Sequence, residues 1–129
     1  MIFCKHKKKM LQARFFYFWM ELAVSRASAG ALEHSKVARV TNMVNTIVEL
    51  KKKGFWIAGL DAHGDSTLFN MDLKIPLAVV IGGEDRGIRP LVKKHCDFLV
   101  SIPQIGSFNS LNASVAGAVV MYEVLRQRM

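Results

Sequence analysis

Only two cysteines occur in this chain, Cys4 and Cys96, with no C-x-x-C pair and no histidine at ligand spacing. A disulfide framework and a zinc site are therefore both unsupported, and a reducing cytoplasm is the compartment this usage suggests. Acidic residues are scarce as well. Ten Asp and Glu stand against 18 Lys and Arg, for a net charge of +8 and a pI near 9.8. Such a balance points toward a polyanionic partner, but the surplus is uneven. Lys5, Lys7, Lys8, Lys9 and Arg14 all precede the first acid, Glu21, and without them 13 basic residues remain against 10 acidic ones. Nucleic-acid binding thus does not follow from charge alone. Long apolar runs are missing too: no stretch is long and uncharged enough to span a bilayer, so no membrane is expected. The FFYFWM run at 15–20 adjoins Arg14 and lacks a small-residue cleavage site, unlike a signal peptide.

What is present is globular in composition, 51% hydrophobic and 22% charged across 129 residues, enough for one core. Residues 1–22 form a basic and aromatic extension with no alternation or turn signal to mark a strand. Residues 23–129 form the apparent domain. Small residues at 23–31 suggest a short helix closing at Gly30. A short strand is expected at 37–40, and Thr41 or Asn42 then caps a helix with Met43, Ile47 and Leu50 on one face. That helix closes with Lys51, Lys52, Lys53 and Gly54, cations and glycine suiting its carboxyl end. Apolar strands are expected at 55–60, 77–81 and 98–102, with a helix at 88–95.

This rhythm predicts an α/β fold: a parallel sheet with helices on both faces and strands apolar throughout because both sides are buried. In such sheets ligands bind beyond the carboxyl ends of the strands, so the loops after Leu60, Ile81 and Ile102 should converge on one site. The final helix, expected over 110–128, carries Leu111, Val115, Val119, Tyr122 and Leu125 on one stripe and Ala116, Val120, Met121 and Val124 on much of the other. A helix apolar on nearly all sides is buried or lies at a subunit interface, and a homodimer through this helix is the reading.

Chemistry concentrates in two loops. Gly82, Gly83, Glu84, Asp85, Arg86 and Gly87 follow a buried strand directly, where glycines permit close approach of backbone to a ligand. The run lacks the spacing of a phosphate loop, and its acidic pair would repel a phosphate. Glu84 is either a buried base, a carboxylate orienting the loop, or a partner of Arg86 or Arg89. The second loop, between 103 and 112, is rich in turn formers, hydroxyls and amides. There Ser110 reads first as a helix N-cap, and Asn112 as a donor to a ligand or a lock on the loop. His34, His63 and His95 have no partner at nucleophile or metal spacing, and no metal site is expected.

IGGEDRGI at 81–88 and IPQIGSFNSLNASVAGAVVMYEVLRQR at 102–128, in that order, resemble the second and third motifs of the SpoU (TrmH-like) branch of the SPOUT RNA methyltransferases. VSRASAGALEH at 24–34 and VARVTN at 37–42 resemble the segments leading into them, most closely in the ribosomal RNA guanosine 2′-O-methyltransferase subgroup. The resemblance implies an α/β trefoil knot, S-adenosylmethionine as cofactor, and homodimers. It implies cofactor contacts from Leu60, Gly82, Gly83, Ile102 and Leu111, and polar active-site positions at Glu84, Ser110 and Asn112. The implied activity is methyl transfer to a ribose 2′-hydroxyl of ribosomal or transfer RNA. The family's first motif, which carries an arginine, does not occur in residues 1–23. On that ground the chain is expected to be an N-terminally truncated or divergent domain, with the sheet's opening strand and helix missing and an edge exposed. The alternative is an inactive module that dimerises or binds RNA.

Overall fold

The computed structural model describes residues 2–5, 14–16, 36–38, 40–83, 86–105 and 111–129. The segment expected to lack strands contains two, β1 (Ile2–Lys5) and β2 (Arg14–Phe16). They are followed by β3 (Lys36–Ala38), α1 (Met43–Lys52), β4 (Trp56–Leu60), β5 (Ser66–Thr67) with a 3-10 turn at Leu68–Asn70, β6 (Leu77–Ile81), α2 (Pro90–Lys93), β7 (Phe98–Ser101) and α3 (Ala113–Arg128). The short helix expected at 23–31 lies outside the described residues.

Five strands form one sheet in the order β1-β6-β4-β7-β5. The last four of that order run parallel, and β1 pairs antiparallel with β6, Ile2 opposite Val80 and Lys5 opposite Leu77. The edge expected to lie open is therefore occupied. Backbone pairing needs only a free ladder, which a basic segment without alternation can still fill. β2 and β3 form a separate parallel pair.

All five residues of β6 are buried, and they divide by parity. Leu77, Val79 and Ile81 join Ala58, Val100, Val120 and Val124 on the face covered by α3. Ala78 and Val80 join Ile57, Ile47, Ile88 and Val92 on the face covered by α1 and α2. Successive side chains leave a strand on opposite sides, so a continuous apolar run fills two cores at once.

Asn42 caps α1, accepting the Asn45 N–H at 3.0 Å, and Ile47 is buried with Met43 and Leu50 packed against its cluster. α2 is shorter than expected, four residues instead of eight. Pro90 stands at its first turn and forces Arg89 into an extended conformation, φ −58° and ψ 142°. The residue before a proline resists helix, so Ile88 packs into the core outside it. The cap of α3 is Asn112, not Ser110: the Asn112 side chain accepts the Ser114 N–H at 2.9 Å. β7 ends at Ser101, one residue before the expected end and just ahead of Pro103.

A polar network fixes the far end of α3. Glu123, only 5% exposed, accepts two hydrogen bonds from Arg126, at 2.7 and 2.8 Å, and one from the Gln127 amide at 2.9 Å. Gln127 accepts the Leu73 N–H and donates to the Met71 carbonyl, while Arg128 donates to the carbonyls of Leu73 and Ile75. Hydrogen bonds from Arg126 and then Gln127 pull the Glu123 carboxyl down from 4.5 to about 2. A carboxyl depressed on folding stabilises the protein fully above its unfolded value, and that contribution disappears as pH falls through the folded value. Thermal midpoints of the wild type should therefore fall between pH 4.5 and 2, and Glu123→Gln should flatten that part of the profile, as calorimetry would record.

Candidate functional site

The loops leaving the carboxyl ends of β4, β6 and β7 do converge, enclosing a cavity of about 390 Å³. Leu60, Gly82, Gly83, Ile102 and Leu111, the five residues expected at a ligand site, all line it. Val100 and Ala116 contribute from the core beneath. Asn112 lies between two lining residues, Leu111 and Ala113, with its side-chain oxygen on the Ser114 N–H. Glu84 and Ser110 lie outside the described residues.

The wall after β6 is a tight turn. Gly83 and Gly87 exchange both backbone hydrogen bonds, Gly83 N–H to Gly87 O at 3.2 Å and the reverse at 2.9 Å. Gly87 has φ +60°, a conformation L side chains resist. A Cβ at Gly82 would overlap the Gly87 carbonyl group, so the turn closes only with glycine there. A Cβ at Gly83 would meet nothing within 4 Å.

Sequence reading missed how the wall after β4 is held. The Asp61 N–H donates to the Val100 carbonyl at 3.0 Å, its Oδ1 accepts the His63 N–H at 3.0 Å, and its Oδ2 pairs with Lys93 Nζ of α2. The Asp61 side chain is 11% exposed. The hydrogen bond from Lys93, then that from the His63 backbone, holds its carboxyl below its ordinary value. Gly64 donates to the Asp61 carbonyl at 3.1 Å and lies so close to β7 that a Cβ there would sit 2.7 Å from the Ser101 nitrogen. Lys93 and Arg86 bring two cations to the lining, and Gln104 an amide. Asp61 was legible as a loop residue, but no local signal ties it to a lysine 32 positions later.

Two further reactive groups among the described residues are engaged within α2 and its end. The His95 ring bonds to the Leu91 carbonyl at 2.9 Å. Cys96 donates weakly to the Val92 carbonyl, and burial pushes its thiol up to about 11, which keeps it protonated and poorly nucleophilic. Among the described residues no group of three or more His, Cys, Asp or Glu could hold a metal ion, and no helix is long and apolar enough to cross a membrane.

Residues 11–122 match the SpoU rRNA Methylase family. The chain belongs to that family. The match starts inside the basic and aromatic segment, ahead of β2. One SpoU relative, the Bacillus subtilis protein YacO, named for the TrmH family of tRNA/rRNA methyltransferases, is 51% identical over 105 residues, 81% of this chain and 42% of its own length. The chain thus spans about two fifths of the curated relatives it matches. Among solved structures, the SpoU methyltransferase AviRb of Streptomyces viridochromogenes, in complex with the cofactor AdoMet, superposes with a TM-score of 0.73 at 35% identity, covering 80% of this chain and 41% of that one. An RNA 2′-O ribose methyltransferase superposes with a TM-score of 0.74 at 28% identity, covering 81% and 40%.

The SpoU turn gives a sharp contrast between neighbouring glycines. Gly82→Ala should lower unfolding stability by about 1–3 kcal/mol, as overpacking does. Gly83→Ala should stay within about 0.5 kcal/mol. Urea unfolding followed by circular dichroism distinguishes the two.

Proposed function

We propose that this chain binds S-adenosylmethionine in the three-loop pocket and transfers its methyl group to a ribose 2′-hydroxyl of ribosomal RNA, with a guanosine as target, or of transfer RNA. The observation that carries this reading is the convergence of Leu60, Gly82, Gly83, Ile102 and Leu111 on one cavity. The cofactor in the AviRb structure and the 2′-O ribose activity in the name of the other relative support it.

The residues present fit such a ligand. A volume of 390 Å³ lies within the roughly 300–1,000 Å³ of small-molecule sites. Leu60, Ile102 and Leu111 offer apolar surface for a flat base, and side-chain-free backbone at 82 and 83 allows close approach. Gly83 already exchanges its backbone bonds with Gly87, so its part is shape. When bound, S-adenosylmethionine supplies an electrophilic methyl on a sulfonium. The chain's own residues position the acceptor hydroxyl in line and take up its proton, with Glu84 as the acceptor and Ser110 and Asn112 holding the ribose. Arg86 on the lining suits the phosphates of RNA. The reading includes a cytoplasmic location and the trefoil knot. In the knot's favour, β6 and β7 flank β4 on opposite sides, and the backbone at 64 abuts that of 99–101.

Homodimerisation through α3 belongs to the same proposal. Val115, Ala118, Tyr122, Leu125 and Met129 are all exposed. Their alternating spacing of four and three is that of a helix-packing seam. Val119, expected on this stripe, packs instead against the α3-side core. The alternative, an inactive module that dimerises or binds RNA, draws on the unmatched first-motif arginine.

Calorimetry with S-adenosylmethionine should give saturable heat, and isotope-labelled methyl groups should enter ribosomal or transfer RNA at a ribose 2′-position. RNA binding that weakens steeply with salt, without methyl incorporation, would favour the alternative. Leu125→Glu should shift the sedimentation of the chain from dimer to monomer, and an unchanged coefficient would exclude this interface.

A further inference from the structure

The three walls of the pocket come from segments far apart in sequence, and their meeting point is a single residue. Asp61 leaves β4 and is bound through its N–H to Val100 of β7, through one carboxylate oxygen to Lys93 of α2, and through the other to the backbone of its own loop at His63. Both partners of the ion pair line the cavity, Asp61 largely covered and Lys93 37% exposed. Beside them Gly64 presses on the backbone of 99–101, so a shift of the loop at 61–64 would move it against β7. Among the described residues, the Lys93–Asp61 contact is the side-chain ion pair that ties the loop after β4 to the element after β6.

We propose that Asp61 and Lys93 are a positioning pair: their ion pair holds the β4 loop and α2 in register, and the pocket's affinity for its nucleoside ligand depends on it. This rests on the reading of the pocket as the S-adenosylmethionine site. The pair touches the loop carrying Ala62 and His63 and sets how closely that loop approaches the Gly82–Gly87 turn. Its effect reaches the ligand through the backbone, not through a reacting atom. Backbone bonds hold this loop to β7, and the charge-assisted bond between partly covered groups adds its side-chain tie to α2.

The test compares Lys93→Met and Lys93→Arg with the wild type. Lys93→Met should weaken S-adenosylmethionine binding at least about fivefold in calorimetry. In the ligand-free protein it should speed amide hydrogen exchange at residues 61–64 while the thermal midpoint of the whole chain changes little. Lys93→Arg should recover much of both. Unchanged affinity and exchange in Lys93→Met, or failure of Lys93→Arg to rescue, would overturn the proposal. If the wild type binds no cofactor, the proposed function fails on its own, and the ligand-free exchange still decides: faster exchange at 61–64 supports the pair and unchanged exchange refutes it.

Discussion

Burial of both faces of Leu77–Ile81 is the constraint on which the rest of the structure depends. Five consecutive apolar side chains have no solvent side to retreat to, so the strand must find cover above and below. α1 and α2 provide one cover through Ile47 and Val92, and α3 provides the other through Val120 and Val124. Neighbouring strands follow the same parity: Ala58 stands beside Val79 and Ile57 beside Ala78. Once these layers are set, the carboxyl ends of β4, β6 and β7 point the same way, and the polar loops have one place to gather.

The last helix shows how one element serves two ends of the molecule. Its distal end is tied to residues 71–75 by Gln127 and Arg128, which satisfy backbone groups that the irregular segment would otherwise leave unpaired. Its proximal end carries Ala113 and Ala116 into the pocket lining. A small residue at each position leaves room for a ligand where a larger one would fill the space. The exposed seam from Val115 to Met129 lies on a different side from the buried residues Ala116, Val120 and Val124, and that division was blurred in the sequence because both stripes are apolar.

What the sequence disclosed follows from how local each determinant is. The strands at 77–81 and near 56–60 were legible as apolar runs bounded by Pro76 and by Gly54, and the cap of α1 as Thr41 or Asn42 before a periodic helix, of which Asn42 is the cap. The convergence of the three loops followed from the parallel arrangement alone. The shortness of α2 was written in Pro90, which keeps the residue before it out of the helix. β1 and β2 were not legible, because pairing is completed by a partner elsewhere in the chain rather than by their own pattern. For the same reason the Asp61–Lys93 pair had no sequence signal: it exists only after two loops have been placed by the core.

A pocket built from three distant segments exists only in the assembled sheet. The unfolded chain holds no fragment of it with Leu60, Gly82, Gly87 and Ile102 together. Any ligand that occupies it therefore binds the native state alone, and each occupied site withdraws a molecule from the folding equilibrium. By mass action the resistance of the whole domain to unfolding rises with the logarithm of the ligand's concentration above its dissociation constant. The amount of ligand in the surroundings then sets how much of the chain persists folded, even when no reaction takes place.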